Sequence, residues 1–203
     1  MYIKLNESGL PTGDVVSIDG IRMANPSTSV PSNPTDEHLV ELGYGRFKYV
    51  EYPAVDEFTV VTVGDYEQDQ DGVWFQDYVQ NDISLETAKA ILKKRVGERR
   101  WAVESGGITV GGILVDTTIE AQNRISSVVL NGTRVGMESI NFKSPDGAFN
   151  TITMTQMTAI ADAIAAHVQN CFTAEATHCA EVEALTSLAE VREYMTGGLL
   201  ANW

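Results

Sequence analysis

Residues 106–117 read Gly-Gly-Ile-Thr-Val-Gly-Gly-Ile-Leu-Val-Asp-Thr. Two apolar triplets, Ile108–Val110 and Ile113–Val115, flank Gly111-Gly112, the signature of a two-residue β-hairpin. Outward from it the pattern turns helical. Upstream, Ser84 caps a helix whose first turn carries Glu86. Thr87 stands where a glutamate would complete a capping box. Leu85, Ala88, Leu92 and Val96 form one stripe; Lys93, Lys94, Arg95, Arg99 and Arg100 crowd the rest, and Gly106-Gly107 ends the helix. Downstream, Thr117 or Thr118 caps a helix to about Leu130, with Asn131-Gly132 as its stop. Ile140–Phe142 and Phe149–Ile152 flank Asp146-Gly147, a second hairpin. Thr153 or Thr155 then caps the longest helix, on which Met157, Ile160, Ile164, Val168, Cys171 and Phe172 recur at three and four. That repeat fits an intrachain core or an oligomer seam equally well. Leu185–Met195 makes a final short helix before Gly197-Gly198. Residues 84–203 are therefore expected to form a mainly helical domain with two β-hairpins.

Residues 1–83 have another texture. They hold Pro11, Pro26, Pro31, Pro34 and Pro53 of the six prolines. Val15–Ile18 and Arg46–Tyr52 alternate weakly, and Phe58–Val63 is a β-branched run that Gly64-Asp65 breaks. Asp71-Gly72 is a strong turn signal before Val73–Tyr78. Asn25–Thr35 is an extended loop, and Asp36–Leu42 a short helix stopped by Gly43. The expectation is a small strand-rich attachment module over 1–83. The fold class is α+β.

At 43% hydrophobic the chain can bury a core. Its formal charge of −14 argues against a nucleic-acid backbone as partner. No apolar run reaches the roughly 18 residues of a membrane span. The start, Met-Tyr-Ile-Lys-Leu-Asn-Glu, lacks the apolar core of a signal peptide, so a cytoplasmic site of synthesis is expected. Cys171 and Cys179 are the only cysteines. On one helix they stand about 12 Å apart, too far to bridge, and are expected reduced.

Four constellations invite a functional reading. His167 and Cys171 lie four apart on a helix, with Glu175, His178 and Cys179 further on, as zinc ligands can. Against a metal, Cys171 falls in the apolar stripe and the set spreads too far along a straight helix. The basic cluster Lys93–Arg100 suggests a polyanion, yet no aromatics alternate with it; a solvated face or a patch meeting an acidic neighbour fits better. Trp101 beside it is either an interface anchor or a core residue. Asp65, Glu67, Asp69, Asp71 and Asp77 hint at calcium but fail the EF-hand pattern. For catalysis, His38, His167 and His178 are the only histidines, and none stands beside a Gly-x-Ser-x-Gly elbow. Gly106-Gly107 and Gly111-Gly112 are not followed by the Gly-Lys-Ser/Thr of a phosphate loop. Neither an enzyme nor a cofactor is expected.

Several of these features recur together in one known family. The helix ending in Gly106-Gly107, the Ile-Thr-Val-Gly-Gly-Ile hairpin, Asp116-Thr117, Gln122 with Ile125, the Ser144–Gly147 turn, Met154–Met157 and Ala166–Phe172 with Glu175 carry the likeness. Over residues 84–196 the chain resembles the domain of unknown function 4376, which is common in phage genomes near tail fibre genes. Phe142 stands where a tryptophan is expected. The front part is similar, more loosely, to amino-terminal modules of phage tail and tail-fibre-assembly proteins, through Asn25-Pro26, Val30-Pro31, Leu42-Gly43-Tyr44 and Asp71–Tyr78.

The resemblance implies attachment or maturation of tail appendages. It implies no activity and no catalytic residues. The expected role is a virion structural protein of the tail, in its fibre or baseplate apparatus, assembled in the host cytoplasm. Its expected partners are other tail proteins, or a second copy of itself. A tail fibre assembly chaperone is the alternative, and a small-molecule enzyme the floor. Candidate partner-binding residues are Trp74, Phe75, Trp101, Leu199, Leu200 and Trp203. Trp203 is expected to pack into a partner or against the body of the protein.

Overall fold

Capping side chains set the start of every long helix. The computed structural model describes residues 1–201 and 203, and it divides into two compact units, Met1–Ile83 and Ser84–Trp203. Each unit carries small antiparallel sheets, and the fold is α+β.

In the first unit, strands β1 (Tyr2–Leu5), β2 (Pro11–Val16) and β3 (Tyr44–Arg46) form a sheet of order β2-β1-β3. Helices α1 (Ile18–Ala24) and α2 (Asp36–Glu41) cover it with a small core of Ile21, Val30, Leu39 and Tyr44. The expected strand Val15–Ile18 ends at Val16. There Ser17 caps α1, its Oγ accepting from Gly20 N at 3.2 Å. A glycine inside so short a helix hides it from a propensity reading.

Arg46–Tyr52 is likewise not a strand. β3 stops at Arg46, and Phe47 makes a single parallel bridge to Trp74. The indole of Trp74 lies across Gly45, 2.6 Å from where a Cβ would stand, so only glycine fits beneath it.

Strand β4 (Thr59–Gln68) pairs with β5 (Trp74–Asp82) in a long two-stranded ribbon. Gly64-Asp65 does not break β4: the register shifts there, with both residues opposite Asp77, as a β-bulge.

In the second unit, α3 (Leu85–Glu104) leads into the hairpin β6 (Ile108–Val110) and β7 (Ile113–Val115), then α4 (Ile119–Val135). The second hairpin is β8 (Ser139–Lys143) and β9 (Phe149–Thr153), followed by α5 (Met154–Ala184), α6 (Leu188–Thr196) and a 3-10 turn, Gly198–Leu200.

α4 runs through Asn131-Gly132 to a left-handed Gly136. Asn131 bonds back to Ser127 O at 2.9 Å. Gly132 is buried where a Cβ would come within 2.8 Å of Met154. Packing against Met154 requires a glycine there, and the helix absorbs its cost.

The last helix starts at Leu188 rather than Leu185. Ser187 and Glu190 make its capping box, and α5 continues to Ala184.

The apolar repeat of α5 serves an intrachain core. Met157, Ile160 and Ile164 cluster with Val115, Ile125 and Ile152. Phe172 departs from the stripe and is exposed. No described helix is long and apolar enough to cross a membrane.

Candidate interaction surface

Thr117 is fully buried where α3, the first hairpin and α4 meet. Its hydroxyl donates to Glu104 O and accepts from Gly107 N at 2.9 Å. Asp116 accepts from Thr118 N at 2.8 Å, Thr118 caps α4, and Gln122 Nε2 donates to Thr117 O at 2.8 Å. Each bond satisfies backbone left open at a chain reversal.

The basic face of α3 is met by acids. Lys93 bonds Glu183 at 2.6 Å, which raises its ammonium pKa, and Lys89 donates to Glu183 O at 2.7 Å. Arg100 pairs with the buried Glu104 and reaches Glu175 at 3.1 Å. Its guanidinium also lies over Phe172 at 4.7 Å and Trp101 at 5.8 Å. Phe172 is thus exposed yet used, as one wall of a cation–π contact.

The proposed metal ligands are otherwise engaged. His167 Nε2 donates to Val103 O at 3.1 Å, and a ring nitrogen that carries a hydrogen has no lone pair for a metal. Cys171 Sγ lies 3.8 Å from that nitrogen and is buried. Burial raises both Cys171 and Cys179 above the usual thiol range. No group of three or more His, Cys, Asp or Glu among the described residues is placed to hold an ion. In the acidic run, Asp69 receives Asp71 N and Val73 N at 3.0 and 2.9 Å and Lys48 at 2.7 Å, so it organises the hairpin turn.

The candidate partner residues fall into different settings. Trp74 seals the three-stranded sheet at Gly45, and Phe75 lies under Lys48 at 5.2 Å. Trp101 is 44% exposed, so core burial does not apply. Leu199 is buried and Leu200 exposed.

Trp203 stacks on the buried His178 at 4.7 Å, its Nε1 donating to Leu199 O at 2.7 Å. Asn202, between them in sequence, lies outside the described residues. Tyr194 donates to Glu181 at 2.6 Å and accepts from His178 Nδ1 at 2.5 Å. Burial and Glu181 push its hydroxyl well above the usual tyrosine value.

The open part of this unit lies elsewhere, between α4 and β8. A cleft of about 510 Å³ has Ile125, Val128, Ile140, Phe142 and Met157 as its floor, with Arg124 and Lys143 among its polar lining. A second hollow of about 400 Å³ shares Val128, Ile140 and Asn141, so the two form a groove along β8. Of its lining, Val135 and Met137 are exposed. Ile140–Phe142 was visible in the sequence as half of a hairpin. That its outer edge is left uncovered was not, because periodicity reports faces and not edges.

Residues 87–196 match the family described as Domain of unknown function (DUF4376). The chain belongs to this family. The match spans just over half of the chain and covers both hairpins and all of α4 and α5. No curated protein and no solved structure matches the chain.

Proposed function

We propose that this chain is a structural protein of a bacteriophage tail, in its fibre or baseplate apparatus, and that it works by protein–protein contact. The observation that carries the binding role is the groove along β8, with an apolar floor and with Val135 and Met137 exposed in its lining. Isolated polar side chains around an apolar floor suit a partner surface. His167, Cys171 and His178 are engaged in internal contacts, which fits the same reading. The tail assignment rests on the motifs shared with the DUF4376 family and on the looser likeness of the first unit to tail attachment modules. The two-stranded ribbon of that unit, with Val60, Val63 and Val79 exposed, suits attachment by strand addition.

Mass spectrometry of purified mature particles tests this. The expected result is the chain present in fixed proportion to a tail protein of known copy number, at a multiple of three or six. Absence from particles, with co-purification on a fibre chain from infected cells, overturns the structural role and makes the chain an assembly chaperone.

A further inference from the structure

The ladder between β8 and β9 fixes which backbone groups are free. Ser144 N donates to Ala148 O at 2.8 Å, and Met154 N to Glu138 O at 3.0 Å. The register places Ile140 opposite Ile152 and Phe142 opposite Asn150. Hydrogen-bonded pairs alternate along an antiparallel ladder. The backbone groups of Ile140 and Phe142 therefore face β9. Those of Ser139, Asn141 and Lys143 point the other way, away from β9, at the edge where the groove runs.

We propose that this edge is a self-association site: β8 of a second copy adds antiparallel to it about a twofold axis at Asn141. The result is a continuous four-stranded sheet.

The sequence of β8 is complementary to itself in that register. Asn141 meets the second copy's Asn141, and Ser139 meets its Lys143, as hydrogen-bonded pairs. Ile140 meets its Phe142 on the apolar face, a favourable β-branched–aromatic pair. No like charges oppose: each Lys143 faces a serine, and each Glu138 faces Ser144. The groove gives the incoming Ile140 and Phe142 an apolar floor at Val128. A strand of another sequence would need the same alternation and the same absence of opposed lysines, which β8 already has.

Charge predicts how pairing responds to salt. At −14 per copy the chains repel one another, while this edge carries Lys143 with Arg124 nearby. Screening that repulsion tightens the dimer.

Sedimentation equilibrium of the full chain over a concentration series reads the result without reference to any particle, so it can fail while the tail assignment stands, and the reverse. The expected mass rises from the chain's 22.1 kDa to twice that, at lower concentration in higher salt. Asn141→Pro is expected to return the mass to that of one chain. It removes an N–H that points away from β9 and, with the side chain, only the exposed acceptor of Thr151 Oγ1 at 3.0 Å, so the circular dichroism spectrum should hold. Ser139→Lys sets two lysine pairs face to face and is expected to weaken association roughly tenfold or more. Adding Lys143→Glu to it should restore pairing. The charge variants decide the matter if Asn141→Pro fails to fold.

A chain that stays monomeric throughout overturns the proposal. So does a dimer that neither Asn141→Pro nor Ser139→Lys weakens. A monomeric chain that captures a foreign extended peptide, and loses it on Asn141→Pro, assigns the edge to another protein and overturns it too.

Discussion

Helices α3 and α4 both pack on α5, and they do so by different means. α3 seats Ala88, Leu92 and Val96 at zero exposure and flanks them with ion pairs to Glu175 and Glu183. α4 buries Ile125 and Gly132, and leaves Ile119, Leu130 and Val135 in solvent. The more polar sequence makes the closed seam, and the more apolar one the open side. Hydrophobicity of a helix therefore does not say where its core is. An unburied apolar side marks a surface kept for something else.

The largest effect expected from this contrast comes from truncating one leucine on each side. Leu92→Ala should cost about 3 kcal/mol, the transfer free energy plus a cavity in a packed seam. Leu130→Ala, with its side chain 73% exposed, should change stability by less than about 0.5 kcal/mol. Urea denaturation midpoints measure both. Equal losses would mean that α4 has no open side.

Next comes the joint between the two helices. Thr117→Val keeps the shape and deletes the hydroxyl, leaving Glu104 O and Gly107 N without their partner in a buried place. The expected loss is about 2 kcal/mol. A loss below about 0.5 kcal/mol would show that water replaces the threonine and that the joint is loose.

How much of this was legible follows from what each residue type signals. The Gly111-Gly112 hairpin and the Asp146-Gly147 hairpin were plain because turn chemistry is local. Ser84 was readable as a cap for the same reason, and Thr118 and Thr153 each as one of two candidates. α1 was not, since Gly20 weakens its pattern, and the end of α4 was misplaced because Gly132 answers to Met154 from a distant part of the chain. Gly45 and Trp74 form another pair that no local rule links. For the interaction surface, Trp101 was left between an interface anchor and a core residue, and its exposure removes the second. Trp74 was a candidate partner residue, whereas its contact with Gly45 gives it an internal use. The groove at β8 was missed because an edge becomes free only through the absence of a neighbour, and a sequence records its own residues alone.

A smaller effect is expected at the start of α5. Thr153 Oγ1 accepts from Gln156 N at 3.2 Å, and Thr153 N donates to Gln156 Oε1 at 2.8 Å. Thr153→Ala should cost about 1 kcal/mol. The hairpin β8–β9 runs directly into this cap, so loss of the dimer on Thr153→Ala would sharpen the link between the open side and β8.

The smallest effect separates the two capping boxes by charge. The box at α5 uses a neutral Gln156; the box at α6 uses Glu190, whose carboxylate takes Thr186 N at 2.6 Å and Ser187 N at 3.2 Å. Those backbone N–H donors, Thr186 first, hold Glu190 below the usual glutamate value. A depressed acid contributes stability that is fully present above its unfolded value, about 4.3, and is lost as pH falls through the lower folded value. Glu190→Gln keeps the reach of the side chain and removes the titration. The thermal midpoint of the native chain should therefore fall more steeply than that of Glu190→Gln between about pH 5 and 3. Glu183 is also depressed, by its hydrogen bond to Lys93, and it titrates in both proteins. The difference between the two curves thus isolates Glu190. Parallel curves would mean that the α6 cap holds as well without its charge, and that the closed side owes its acid sensitivity to the Lys93–Glu183 pair instead.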